Sequence, residues 1–176
     1  MKTTGVVRRI DELGRIVIPK EIRRSLRIRD GENLEIFVDK DMVALKKYSS
    51  MSDLEDVAKN VSDSIYQSLK LPILVSDRDT FIAVTGSMKK RYYGKTISTN
   101  LEKILEDREN IVENDQKELI LSNGLQEEAS YVMSPILVNG DSVGLVIILS
   151  FDRSLGDLEE KIAQITAQFL GKHIEG

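Results

Sequence analysis

Apolar and polar positions change their period twice along the chain. Between Thr4 and Ile10 they alternate, with Val6 and Ile10 toward one side and Val7 and Arg9 toward the other. A second β-branched run, Arg15 to Ile18, follows the turn-like Asp11-Glu12-Leu13-Gly14, where Gly14 is free to take positive φ. Pro19 then suits the first turn of a short helix, because its missing N–H would be unpaired there in any case. Ile22 and Leu26, one turn apart, form that helix's apolar stripe and leave Arg23, Arg24 and Arg27 on other faces. After the turn signal Asp30-Gly31, Leu34, Ile36 and Val38 alternate with Glu35, Phe37 and Asp39. A polar turn at Asp39-Lys40-Asp41 leads into Met42 to Leu45. The first fifty residues therefore predict strand, strand, short helix, strand, strand.

Beyond Ser49-Ser50-Met51-Ser52, which has the composition of a linker, the period becomes helical. Leu54, Ala58, Val61, Ile65 and Leu69 recur until Pro72, with Ser52 and Glu55 at capping-box spacing. Ile73-Leu74-Val75 is a buried-type strand with Phe81 to Val84 as its hairpin partner across Asp77-Arg78-Asp79. Thr99 and Glu102 have capping-box spacing for a helix running to about Glu109. Glu118 to Ser122, Tyr131 to Val138 and Ser142 to Ser150 complete five antiparallel strands, the last two joined by Asn139-Gly140-Asp141. A closing helix carries Leu158, Ile162, Ile165 and Phe169. The expected organisation is a small domain over 1–50 and an α+β domain over 53–176. Its first and last helices either cover one face of the sheet or form a bundle between subunits.

Charge sharpens this division. Residues 1–50 hold 12 Lys and Arg against 8 Asp and Glu, whereas residues 51–176 hold 13 against 21. A basic front and an acidic remainder suggest that the first module faces a polyanion. Fifty residues bury little core, and with no cysteine a disulfide cannot staple them. An obligate dimer, whose strands complete one another's sheet, answers that shortage.

The chemistry of catalysis is thinly represented. The lone histidine, His173, stands near the end of the closing helix, and there is neither a phosphate-binding glycine loop nor a dinucleotide fingerprint. No apolar run is long enough to span a bilayer, and the N-terminus lacks the apolar core of a signal peptide. The expectation is a cytoplasmic non-enzyme with no cofactor and no metal.

The first 29 residues contain seven arginines and two lysines. Arginine's planar fork bonds two phosphate oxygens, or O6 and N7 of guanine, in a geometry lysine lacks. Lys2, Arg8, Arg9, Arg15, Lys20, Arg23 and Arg24 are the candidate DNA contacts, and a two-fold dimer would repeat them as a stripe. One or two of the arginines are expected to pair with Glu21, Asp11 or Glu12 instead.

Residues 4–38 closely resemble the DNA-binding domain of the SpoVT/AbrB family of bacterial transition-state and sporulation regulators. The motif D-x-x-G-R-[IV]-[VI]-[IL]-P-x-x-[IL]-R-R runs from Asp11 to Arg24. The resemblance implies a swapped-hairpin fold in which two chains interlace into a small β-barrel, with Arg8, Arg15, Arg23 and Arg24 on the DNA-facing surface. Arg9 extends that surface by adjacency. Arg27 has no counterpart in the motif and reads as ordinary surface. Many relatives have Asp-Gly in the last hairpin turn, where this chain has Asp39-Lys40.

The layout after residue 52 is similar to a GAF domain, which places the chain with the longer, two-domain members. That layout implies oligomerisation, with two dimers joined into a homotetramer, and either a small-molecule effector or none; Phe81, Tyr92, Tyr93 and Tyr131 either line a pocket or, the simpler reading, belong to the core and surface, and no ligand is assigned. The implied function is a nucleoid-associated regulator of sporulation genes that binds double-stranded DNA. The same small fold also serves MazE-type antitoxins, whose acidic, mostly disordered tail covers a toxin. Residues 53–176, by contrast, are patterned to pack a core.

Overall fold

The computed structural model describes residues 6–47, without the Lys47 side chain, and residues 54–175. The chain divides into two compact units, residues 1–48 and 49–176.

The first unit contains a short helix, α1 (Lys20–Ser25), and a hairpin of β1 (Leu34–Asp39) and β2 (Met42–Lys47). The hairpin is in register from Leu34 opposite Lys47 to Asp39 opposite Met42. Lys40 turns it with φ +52°, the left-handed region that favours glycine. The two strands expected at 4–10 and 15–18 do not form among the described residues. The physical reason is the ladder: a strand exists through its partner, and this single chain offers none to Val6–Ile10 or Arg15–Ile18. Among the described residues of this unit only Pro19 is buried. Val7, Val17 and Val38 are exposed to 88%, 74% and 74%.

The second unit is a five-stranded antiparallel sheet with helices on both faces. Its strands are β3 (Ile73–Asp77), β4 (Phe81–Val84), β5 (Ile111–Ser122), β6 (Leu125–Val138) and β7 (Asp141–Ser150), in the order β4-β3-β7-β6-β5. The helices are α2 (Glu55–Leu69), α3 (Lys89–Tyr92), α4 (Thr99–Asp107) and α5 (Asp157–Glu175). Central β7 alternates between two cores. Val146 and Ile148 join Ala58, Val132, Ala163 and Leu170 beneath α2 and α5. Leu145, Ile147 and Leu149 join Phe81, Tyr92 and Leu101 on the opposite face. Burial of both faces accounts for the near-continuous apolar run of β7.

The flanking helices thus cover one sheet face, but α5 has two apolar sides. Ala163, Ala167, Leu170 and Gly171 are buried, while Leu158, Ile165 and Phe169 are exposed. At Gly171 a Cβ would collide with the Leu137 carbonyl oxygen, so only glycine permits this approach of α5 to β6. Glu159 closes the helix start. Its carboxylate accepts from Gly156 N–H at 2.9 Å and from Arg153 at 2.8 Å. Burial raises its pKa, but these bonds outweigh that effect and hold it below the usual range.

Four elements of the second unit differ from their sequence expectations, one being β6, which begins at Leu125, six residues before the expected Tyr131. The cap of α4 is Ser98, whose Oγ accepts from Leu101 N–H at 3.3 Å; Thr99 is already helical. β5 begins at Ile111, seven residues before the expected Glu118, and a bulge between Glu113 and Lys117 breaks its alternation. α3, preceded by a 3₁₀ turn at Gly86–Met88, has too few residues to show a helical period.

Candidate nucleic-acid interface

The candidate surface is built on a turn and a short helix. Gly14, at φ +77°, lets its N–H reach the Asp11 carbonyl at 3.0 Å, and Asp11 N–H donates to the Arg15 carbonyl at 3.1 Å. The Asp11 side chain completes the turn. Its Oδ1 accepts from Leu13 N–H at 3.0 Å and Arg15 N–H at 2.8 Å, and its Oδ2 accepts from Arg15 Nε at 2.8 Å. The Arg15 N–H, then its guanidinium, holds the Asp11 carboxyl below the usual aspartate range. Asp11 therefore orients Arg15, whose side chain remains 71% exposed. Arg8 and Arg9 are exposed just ahead of this turn.

Pro19 opens α1, with Arg23 N–H donating to its carbonyl at 3.0 Å. The helix ends in a two-bond closure: Ile28 N–H donates to Arg23 O at 2.8 Å and Arg27 N–H to Arg24 O at 3.2 Å. Arg27 takes φ +52° there, a position where glycine is usual. It is half-buried and engaged, not the plain surface residue expected of a position outside the motif.

Lys20 and Arg24 are exposed on α1. Arg23 differs from the expectation that it faces outward beside Arg24. It is half-buried, its Nη1 lies 2.6 Å from Asp30 Oδ1, and its Nε is buried without a partner among the described residues. Two of the candidate arginines are thus ion-paired, Arg15 with Asp11 as expected and Arg23 with Asp30 in place of the expected Glu21, Asp11 or Glu12; Arg29, outside the candidate set, pairs with Glu32 at 3.7 Å. Arg8, Arg9, Lys20 and Arg24 have no ion pair among the described residues, and Lys2 lies outside those residues.

Two of the aromatic candidates in the second unit are core residues. Phe81 and Tyr92 are buried and meet edge to face with centroids 6.0 Å apart. Burial, then the bond its hydroxyl donates to Glu127 at 2.6 Å, pushes the Tyr92 phenol up. Tyr93 is exposed and donates to Glu55, which raises its pKa; Tyr131 is half-buried. An open cleft of about 230 Å³ lies elsewhere, between Arg108, Asn110, Ser134 and Gln164.

Comparison with known proteins assigns each region. Residues 53–175 match the family model described as Stage V sporulation protein T C-terminal, transcription factor, and residues 7–53 match Antidote-toxin recognition MazE, bacterial antitoxin. Stage V sporulation protein T of Bacillus subtilis (strain 168) is 51% identical over 177 residues, covering 99% of both chains. Transition state regulatory protein AbrB of the same organism is 58% identical over 48 residues, 27% of this chain and 50% of AbrB. The GAF domain of a phosphoenolpyruvate-protein phosphotransferase from Coxiella burnetii superposes with a TM-score of 0.55 at 18% identity, covering 69% of this chain and 82% of that one. That likeness identifies the second unit's fold as GAF-type. Identity across both units, together with the match of 53–175 to the C-terminal model, shows that this chain belongs to the stage V sporulation protein T family.

Proposed function

We infer that this chain is a DNA-binding transcriptional regulator of sporulation genes, acting in the cytoplasm on the nucleoid, and not an enzyme. Double-stranded DNA meets the surface formed by Arg8, Arg9, Arg15, Lys20, Arg23 and Arg24, with Lys2, outside the described residues, as a further candidate contact. The observation that carries this reading is the division of labour among the motif arginines. Asp11 and Asp30 fix Arg15 and Arg23, while Arg8, Arg9 and Arg24 remain exposed and unpaired among the described residues. Fixed guanidinium forks suit directional bonds to bases or phosphates, and the free ones suit backbone neutralisation.

The DNA-binding form is an interlaced homodimer. A unit with one buried residue among those described and a row of exposed valines and isoleucines lacks a core, and a second copy supplies both the apolar cover and the missing ladder partners for 6–10 and 15–18. The outer stripe of α5, Leu158, Ile165 and Phe169, is a second self-contact that joins two dimers into a tetramer and adds avidity on spaced sites. The GAF-type domain acts first as this oligomerisation module, and a small-molecule effector would act by shifting it. The antitoxin reading, in which residues 53–176 cover a toxin as a disordered tail, has two packed cores in that region against it.

Gel-shift titration of Arg24→Ala and Arg23→Ala tests the surface. Each is expected to weaken binding, and Arg24→Ala to lower the salt slope by about 1 for each phosphate no longer neutralised, with the fold unchanged by circular dichroism. Unchanged affinity in both variants would overturn the assignment.

A further inference from the structure

Residues 80–101 carry four basic side chains, Lys89, Lys90, Arg91 and Lys95, and no acidic one. They stand out because residues 51–176 hold 13 Lys and Arg against 21 Asp and Glu. The turn that bears them is pinned. Met88 and Tyr92 are buried, and the Tyr92 hydroxyl donates to Glu127 at 2.6 Å. Lys95 N–H donates to the Tyr92 carbonyl at 2.9 Å, and its own carbonyl accepts from Phe81 N–H at 3.0 Å.

Arg91 is engaged with the domain itself, with Nη1 2.7 Å from Glu127 and its guanidinium 5.6 Å from the Tyr92 ring centroid. Lys89, Lys90 and Lys95 are exposed and have no ion-pair partner among the described residues. Counting Glu127 and Glu55, the acids bonded to this turn, two positive charges remain in excess.

Scattered surface lysines need no special account. Three unpaired lysines within seven residues, held on a fixed backbone in an acidic domain, concentrate positive potential at one place. Tyr93, in the same turn, donates to Glu55, the first residue of α2. The basic turn is thus tied to the start of α2.

We propose that Lys89, Lys90 and Lys95 form a second phosphate contact, through which the C-terminal domain grips the backbone of the same duplex outside the segment held by the N-terminal arginines. Ammonium groups are point charges without a directional fork, so this contact is sequence-independent and adds affinity and reach, not specificity. The inference rests on the DNA-binding reading above.

The test compares the full chain, a Lys89→Gln/Lys90→Gln/Lys95→Gln variant and Arg24→Ala on mixed-sequence duplexes of about 20 and about 60 base pairs across a salt series. Arg91 is left intact because it holds Glu127. At about 0.1 M salt the triple variant should bind the long duplex at least about tenfold more weakly, with a slope shallower by about 1 per engaged lysine. Its binding to the short duplex should change by less than about twofold, whereas Arg24→Ala should weaken both.

Parental affinity and slope on the long duplex, with Arg24→Ala still impaired, would overturn the lysine contact and leave the arginine surface standing. Failure of the parent chain to bind either duplex would overturn the DNA-binding reading itself. Unchanged DNA binding with an altered mass in light scattering would identify the turn as a protein-docking surface and overturn the proposal.

Discussion

In the N-terminal unit Val6, Val7, Ile10, Ile16 and Val17 are exposed, whereas every residue of β7 from Gly144 to Ser150 in the second unit is buried. Both stretches are rich in Val and Ile, so residue type alone does not separate them. The difference is the number of neighbours a single chain supplies. β7 has a hydrogen-bonded strand on each side and helices over each face; Arg15–Ile18 has neither. Apolar patterning declares that burial is required but leaves open which chain provides it.

Dilution should break this comparison most visibly. A fragment of residues 1–50 is expected to unfold as it is diluted, with a melting temperature that rises with concentration. A fragment of residues 53–176 should keep its folded signal at the same dilutions, followed by circular dichroism. Next in size is Phe81→Ala, which empties part of the core beneath α3 and α4 and should cost about 3–5 kcal/mol of the C-terminal transition in urea. The N-terminal transition should not move.

A smaller effect with an informative sign is expected from Asp11→Ala. Removing an anion should strengthen DNA binding on charge grounds, but it also frees Arg15 and two backbone N–H groups. Weaker binding by fluorescence anisotropy is expected, showing that orientation outweighs charge. The Asp11 pKa is depressed, so its contribution is fully present above the ordinary aspartate value and fades only as pH falls through its lower folded value. Binding through this turn should therefore not change across the neutral range. The smallest effect is Lys40→Gly, which relieves a positive φ and should stabilise the N-terminal unit by up to about 1 kcal/mol in thermal melts.

The elements legible in the sequence are those whose period is set by their own chain. α2, β3, β4, β7 and α5 show their helical or alternating patterns because each packs within one unit. The first half of β5 hides because it is a sheet edge, with polar side chains from Glu113 to Lys117 and a bulge that breaks the alternation. Asn123-Gly124, between β5 and β6, is as strong a hairpin signal as Asn139-Gly140, yet with the next strand expected only from Tyr131 the strand Glu118 to Ser122 has nothing to join across it. In the candidate interface, the motif predicts the turn around Gly14 and the basic character of α1. It does not predict that Arg23 is drawn toward Asp30, because a pair seven residues apart around a helix end has no fixed sequence period.

Gly171 gives α5 the mechanics of a lever. Where the helix meets the Leu137 carbonyl there is no side chain to compress, so that point acts as a fulcrum. Asp157, fourteen residues away, lies about 21 Å along the axis at the usual helical rise, so a tilt of about 5° would carry it about 2 Å. The outer stripe of Leu158, Ile165 and Phe169 lies along that arm, with Leu158 beside the buried Glu159 at its far end and Phe169 near the pivot. With the Glu159 bonds at the helix start released, a small change in the sheet beneath would arrive at the outer surface as a graded displacement, largest at Leu158.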